Sequence, residues 1–104
     1  MSYNTLSTSS GLKSASAQIT TRCAGLAGID ANPPAAGYAT ITIYDSEDSN
    51  TSGKLVLAEI QLDAGYISVN HEYNSPVIAN RGIYAVLTET GGTGTTFVAR
   101  YFLM

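Results

Sequence analysis

Apolar and polar residues alternate along much of the chain with a period of two, the spacing expected of a β-strand with one buried face. The pattern is clearest over residues 38–44, where Ala39, Ile41 and Ile43 share one face and threonines and tyrosines take the other. β-Branched and aromatic residues dominate this stretch, as they do in strands generally. Residues 15–23 alternate in the same way, so the sequence predicts a strand at each place.

Five further stretches have strand character. The stretch that begins at Lys54 contains helix formers, but it is short and Gly53 and a turn sequence enclose it, which favours a strand. Pro76 cannot donate a ladder hydrogen bond, so its segment is expected at a sheet edge or at the start of a strand. Residues 82–88 are apolar on both faces and are predicted to lie inside a sheet. The additional predicted strands are residues 54–62, 66–71, 76–79, 82–88 and 95–103.

The segments between these strands have turn and loop chemistry. Residues 30–37 contain adjacent prolines and residues 45–53 are acidic and polar, so both are predicted to be loops, the second of them solvated. The small apolar run 24–29 contains Gly25 and Gly28, which predict a bulge or a close approach of neighbouring atoms to the backbone.

These elements predict an all-β fold. Turn signals recur about every 8–12 residues, about seven strands result, and no amphipathic helix is present, which together favour an antiparallel β-sandwich of jelly-roll-like type. Residues 15–104 are expected to form this single domain. Residues 1–14 are rich in serine and threonine and are expected to form a flexible N-terminal arm.

Charge narrows the classes of partner. The net charge is −3 and only 12% of residues are charged, with no basic cluster of the kind that binds nucleic acid. No apolar run approaches the ~20 residues that span a bilayer. Residues 1–5 do not resemble a secretory signal, and the lone Cys23 has no partner for an internal disulfide. We therefore expect a protein made in a reducing cytoplasm, without nucleic-acid or membrane partners.

Candidate chemistry is sparse, so we predict no catalytic residue, no cofactor and no enzymatic activity. His71 is the only histidine, and neighbouring Glu72 is expected on the opposite face. Cys23 is expected to be a small buried apolar residue. The acidic residues of loop 45–50 offer oxygen ligands, but the spacing of a helix–loop–helix calcium site is absent. A metal ion at this loop is left open, with a solvated turn as the favoured interpretation.

The seven tyrosines are the most informative polar side chains. Tyr38 and Tyr44 are predicted to oppose the buried isoleucines of their strand, and Tyr66 is predicted to oppose Ile67 and Val69. Cross-strand packing on an outer face, an assembly interface and sugar stacking are all open interpretations, although the absence of tryptophan disfavours sugar. The predicted interface consists of Tyr3, Leu6, Leu12, Tyr38, Tyr44, Tyr66 and Tyr73.

The sequence from residue 65 to residue 88, with its glycine-led strand, Pro-Val segment and Gly-Ile-Tyr-Ala strand, resembles small structural proteins of tailed bacteriophages. The terminal Val98-Ala-Arg-Tyr-Phe102 is similar to their last strand, and the likeness extends from about residue 37 to residue 104. The resemblance implies a virion component, most simply a capsid decoration (cement) protein that binds the major capsid protein as a homo-oligomer.

A trimer would match the quasi-threefold positions of an icosahedral shell. Such a protein is made in the host cytoplasm and ends in the virion. The alternative function is a receptor- or carbohydrate-binding module of a phage fibre or tail. The resemblance carries over no residue of known role.

Overall fold

The computed structural model describes residues 7–104. These residues form β-strands and turns, and none of their segments is a helix that could cross a membrane. The eight strands are β1 (Thr8–Ser9), β2 (Ala17–Thr20), β3 (Ala24–Asn32), β4 (Tyr38–Asp45), β5 (Val56–Asp63), β6 (Val69–Ala79), β7 (Ile83–Thr90) and β8 (Thr96–Leu103).

The strands form two antiparallel sheets of four. Sheet I has the order β1-β8-β3-β6 and sheet II the order β2-β7-β4-β5. The partners β1·β8, β2·β7, β3·β6 and β4·β5 are nested as in one long hairpin, and successive pairs fall in alternate sheets. This is the connectivity of a jelly roll. The predicted all-β, jelly-roll-like sandwich is confirmed, with one strand more than expected.

The core lies between the two sheets and is built from the inward residue of each alternating pair. Ile41 and Ile43 are fully buried, as their spacing predicts, and Phe97 of β8 is the largest fully buried side chain. Leu26 and Ile29 face the core from β3. Burying each of these side chains contributes about 1.5–3 kcal/mol. The strand at residues 83–90 lies between β2 and β4, which confirms its predicted interior position.

A buried carboxylate fixes one end of the sandwich. Asp45 is 5% exposed, and its carboxylate accepts hydrogen bonds from the backbone N–H groups of Asn80, Arg81 and Gly82. A carboxylate this deep requires such donors to offset the loss of water. The expectation that the loop is solvated from its first residue is therefore wrong at Asp45 and Ser46, which are both buried.

The largest departure from the predicted elements is β3. Residues 24–29 were not predicted to be a strand and residues 30–32 were predicted to belong to a loop, yet Ala24–Asn32 form one strand between β8 and β6. The small residues and glycines of this stretch carry little strand propensity, so its strand conformation depends on pairing with both neighbours.

Residues 66–79 also depart from the prediction. Tyr66 and Ile67 belong to a turn, because the Tyr66 N–H donates to the Asp63 carbonyl and not to a neighbouring strand. The predicted pieces 66–71 and 76–79 are instead one edge strand, β6, that begins at Val69. Pro76 lies in that edge strand, as predicted, and β6 bulges between Glu72 and Val77 where its pairing with β3 is interrupted.

The N-terminal half also differs in its boundaries. The predicted strand 15–23 is regular only over β2, where the register shifts between Gln18 and Thr20. The Gln18 side-chain amide donates to the carbonyls of Thr20, Ser46 and Ile83, which ties this short strand to both sheet II and the adjoining turn. Within the predicted arm, Thr8–Ser9 pair with β8 and Lys13 bridges to Phe97.

Candidate assembly surfaces

The outward face of sheet I is divided into two halves of opposite character. In one half, the side chains from β8, β3 and β6 are hydrogen-bonded across the strands, and we call it the polar ladder. Asn70 donates to Asp30, Ser68 donates to Asn32, and Asn32 donates to Thr96 over 3.1 Å. The polar ladder comprises Asp30, Asn32, Ser68, Asn70, Glu72, Thr96 and Arg100.

Arg100 holds the middle of this face. Its guanidinium contacts the Asp30 carboxylate at 3.1 Å and also pairs with Glu72, so one cation bridges two strands. The hydrogen bond from Arg100 holds the pKa of Glu72 below its ordinary value, and the same bond raises the pKa of Arg100. The guanidinium lies over Gly28, where a methyl group would come within 2.5 Å of Nη2. The predicted close approach at the glycines of β3 is confirmed.

The other half of the face is an open groove of about 700 Å³, which we call the trough. Its floor is low because Gly25 has no side chain and Ala27 has only a methyl group. Pro76 leans over Gly25, since a methyl group there would come within 2.8 Å of the Pro76 Cβ. The other residues that line the trough are Ser7, Glu72, Tyr73, Asn74, Ile78, Arg100, Phe102, Leu103 and Met104.

Tyr73, one of the predicted interface residues, lies in this trough on the bulged part of β6. It is half-buried, and burial raises the pKa of its phenol. It packs against the hydrophobic core and lines the trough, so it is separate from the other predicted tyrosines.

A second exposed apolar region lies at the end of the sandwich where β3, β5 and β7 finish, which we call the loop end. Ile67 is 87% exposed and Tyr66 is 72% exposed on the turn between β5 and β6. A cavity of about 280 Å³ beside them is also lined by Pro33 and Val69. Tyr38 starts β4 at this end, opposite Asp63 of β5.

The structure brings together only part of the predicted interface. Leu12, Tyr38 and Tyr66 are exposed and belong to the loop end, since Leu12 precedes the Lys13 bridge to the start of β8. Tyr44 lies near the opposite end, on the outward face of sheet II as predicted. Tyr3 and Leu6 lie outside the described residues.

The sequence prediction missed Ile67 and the trough. The alternation predicts Ile67 on the same face as Val69, opposite Tyr66, whereas the turn at Asp63–Tyr66 precedes the strand and interrupts that alternation. The signal for the trough was present in the glycines of β3, since a strand without side chains leaves a depression between larger neighbours.

The groups considered for chemistry stay apart. His71 is exposed. Cys23 lies just before β3, where its backbone carbonyl accepts a hydrogen bond from the Met104 N–H. It is half-buried and therefore less buried than expected. In the acidic loop, Glu47 pairs with Lys54 at 3.0 Å and Asp48 accepts the Asn50 N–H. Among residues 7–104, no three His, Cys, Asp or Glu side chains are close enough together to hold a metal ion.

The exposed apolar residues at the loop end and in the trough therefore define two surfaces suited to contact. Comparison with protein-family models, curated proteins and solved structures gave no match to this chain.

Proposed function

We propose that this protein is a structural component of a virion, a capsid decoration protein that acts as a homo-oligomer bound to the major capsid protein. The observation that carries the proposal is the loop end, where Ile67 and Tyr66 are both largely exposed to water. Exposed apolar side chains that cluster in this way mark contact surfaces more often than isolated ones do. Leu12 and Tyr38 extend the same end.

The scaffold supports this use of the loop end. The turns at this end connect strands that are rigidly paired in both sheets, and binding residues are often carried on loops held by such a frame. Jelly rolls are found in viral capsid proteins and in lectins, which is an analogy at the level of the fold. A shell with many equivalent sites would raise the overall affinity, because an oligomer that binds several of these sites at once combines individually weak contacts.

A second function, a carbohydrate- or receptor-binding module of a fibre or tail, is favoured by the surroundings of Tyr66. Tyr66 lines the smaller cavity together with Gln61 and Asp63. An aromatic ring beside amide and carboxylate groups suits a sugar, because the sugar ring can stack on the aromatic ring while its hydroxyls form hydrogen bonds with the polar groups.

The first experiment is light scattering after size exclusion, over a range of protein concentrations. We expect a mass near three times the 10.9 kDa of the chain. The variant Ile67→Asp should lower the mass to that of a monomer, because its carboxylate would lose its water in the subunit interface at the loop end. Leu55→Asp is the matched control, since Leu55 is also exposed, at 64%, but precedes β5 at the opposite end.

The outcomes separate the two functions. A wild-type monomer at every concentration would contradict the homo-oligomer. If Tyr66→Ala instead abolished binding to a glycan array without any change in mass, the recognition module would replace the capsid proposal. If the Ile67 and Leu55 variants lost the oligomer to the same extent, the loop end would not be the subunit interface.

A further inference from the structure

Strand β5 is an open edge of sheet II. It pairs with β4 on one side, and no strand among residues 7–104 pairs with it on the other. The other three edges are protected in ways that natural sheets use: β1 and β2 have only two and four residues, and β6 contains Pro76 and a bulge. β5 contains no proline, and its pairing with β4 is regular from Ala58 to Asp63. Among the described strands, β5 is therefore the edge best suited to receive another strand.

The backbone groups that face this edge are identified by the end of the β4–β5 ladder, where the Ala64 N–H donates to the Gly37 carbonyl. Backbone groups of successive residues in a strand point to alternate sides, so those of Glu59, Gln61 and Asp63 point away from β4. The Asp63 carbonyl accepts the N–H of the turn that follows β5, in agreement with this assignment. Glu59 and Gln61 therefore each present an N–H and a carbonyl to the open edge.

A second copy of β5 fits this edge in one register. Copies related by a twofold axis perpendicular to the sheet pair antiparallel, with opposed residues on the same face. An axis at Ile60 places Glu59 opposite Gln61 of the second copy. An axis at Glu59 would oppose two glutamates, and an axis at Gln61 would oppose Glu59 to Asp63, and like charges directly opposite each other are destabilising. Axes nearer either end shorten the regular pair, because β5 bulges at Leu57 and a turn follows Asp63.

The register about Ile60 suits both faces of the strand. Glu59 and Gln61 are exposed, so the Gln61 amide can donate to the Glu59 carboxylate of the second copy, while their backbones exchange ladder hydrogen bonds. On the inward face, Ile60 meets Ile60 of the second copy at the axis, and Ala58 meets Leu62. These inward residues belong to the core or pack against it, so the apolar layer continues from one copy to the next.

We infer that β5 pairs with β5 of a second copy about an axis at Ile60, which joins their two sheets II into one continuous sheet. The interface is only one strand wide, so it belongs with small, transient interfaces and dissociates at the dilution of a sizing column. It forms where copies are held close together, as on a shell with many sites. This inference goes beyond the proposed function, since it concerns the edge of sheet II and not the loop end.

Substitutions of opposite charge at position 61 test the register. Sedimentation equilibrium at high protein concentration is used, in the Ile67→Asp background so that the loop end does not contribute. We expect Gln61→Lys to lower the dimer Kd several-fold, because its ammonium group would face Glu59 of the second copy. Gln61→Glu should raise the Kd several-fold, because it opposes two carboxylates. The matched control is Thr88→Lys, on an exposed residue of β7 two strands away, which should leave the Kd unchanged.

The sign of these changes decides the outcome. A higher Kd for both Gln61 variants would place position 61 on the axis, opposite itself, and overturn the inference. An equal response to Gln61→Lys and Thr88→Lys would show that net charge and not strand pairing controls association. A background protein that stays monomeric at every concentration would also reject the pairing.

A cross-link tests the register independently. Opposed residues with outward backbone groups have Cα atoms about 5.5 Å apart, which a disulfide can bridge. In the Ile67→Asp background with Cys23→Ser, tagged chains that carry Glu59→Cys are mixed with untagged chains that carry Gln61→Cys and are oxidised. We expect the mixed dimer as the main product on a non-reducing gel, because an axis at Ile60 opposes these two positions.

Homodimers of either single-cysteine chain would place the axis elsewhere, and a statistical mixture of all three dimers would indicate random collision, so both results would overturn the inference. The proposed function fails if the wild-type chain is monomeric in light scattering, whereas this inference fails on the register of β5. Failure of one is therefore distinguishable from failure of the other.

Discussion

The polar ladder and the trough lie on the same three strands, but the outward side chains of the ladder are hydrogen-bonded to one another, whereas those of the trough leave an open apolar groove. In the ladder, each outward residue of β3 meets a hydrogen-bonding side chain on a neighbouring strand, and Arg100 joins Asp30 to Glu72. In the trough, Gly25 lies between Phe102 and Ile78 and offers no side chain to pack against either of them. The polar groups on one half of the face thus find partners within the sheet, whereas the other half leaves an apolar depression open to solvent. The difference shows that surface chemistry can change within one strand while the inward core stays continuous.

The largest effect is expected where the two halves meet, at Gly28. A methyl group in Gly28→Ala would come within 2.7 Å of the His71 carbonyl oxygen, which is backbone and cannot rotate away. We expect a loss of about 2–3 kcal/mol in the free energy of unfolding, because β6 must shift and Arg100 must move. Urea denaturation measures this loss.

Gly25→Ala is the comparison for that variant. Its added methyl group would meet the Pro76 side chain, on the bulged part of the edge strand, so a smaller loss of about 1 kcal/mol is expected. Equal losses for the two glycines would show that the bulge is as rigid as the regular part of the sheet.

An effect smaller than that of Gly28→Ala is expected from Asp30→Ala, which removes the carboxylate shared by Asn70 and Arg100. We expect a loss of about 1–2 kcal/mol, since hydrogen bonds to charged groups are stronger than neutral ones and the site is partly exposed. Glu59→Ala is the control, because this exposed carboxylate accepts a single long bond of 3.3 Å from Thr42. If both variants lost the same stability, the ladder would contribute no more than an ordinary surface pair.

The contribution of Glu72 should depend on pH. Its pKa is lowered in the folded state by the hydrogen bond from Arg100, so its stabilising effect is present above the unfolded-state value of about 4.3. That effect is lost as pH falls through the lower folded-state pKa. Wild type should therefore exceed Glu72→Gln in urea midpoint at pH 7, and the difference should shrink by pH 3. A difference that stays constant with pH would contradict the ion pair with Arg100.

The smallest effect is expected from Val98→Thr. Val98 lies on the outward face of β8 within the ladder half, opposite Asp30, and the substitution preserves its shape and β-branching. The free energy of unfolding should change by less than about 0.5 kcal/mol, as at most surface positions. A thermal shift of several degrees would indicate that this half of the face is covered by other residues.

The sequence identifies most strands, but it cannot identify their neighbours. Ile41 and Ile43 were placed correctly because alternation is a property of adjacent residues in one strand. Asp30 and Arg100 are 70 residues apart, so the sequence around either residue does not predict their contact. For the same reason, Leu12, Tyr38 and Tyr66 could be chosen as interface candidates, but their common location at the loop end could not be derived.

By itself, the sequence determined the fold class, the interior position of residues 83–90 and the close packing around the glycines of β3. Each of these depends on short-range properties: side-chain period, apolar content and the missing Cβ. Tertiary structure alone decided that Asp45 is buried, that Ile67 is exposed and that the outward face of sheet I is half polar ladder and half trough. Those features depend on which strands become neighbours, and strand pairing is set by contacts between residues distant in the chain.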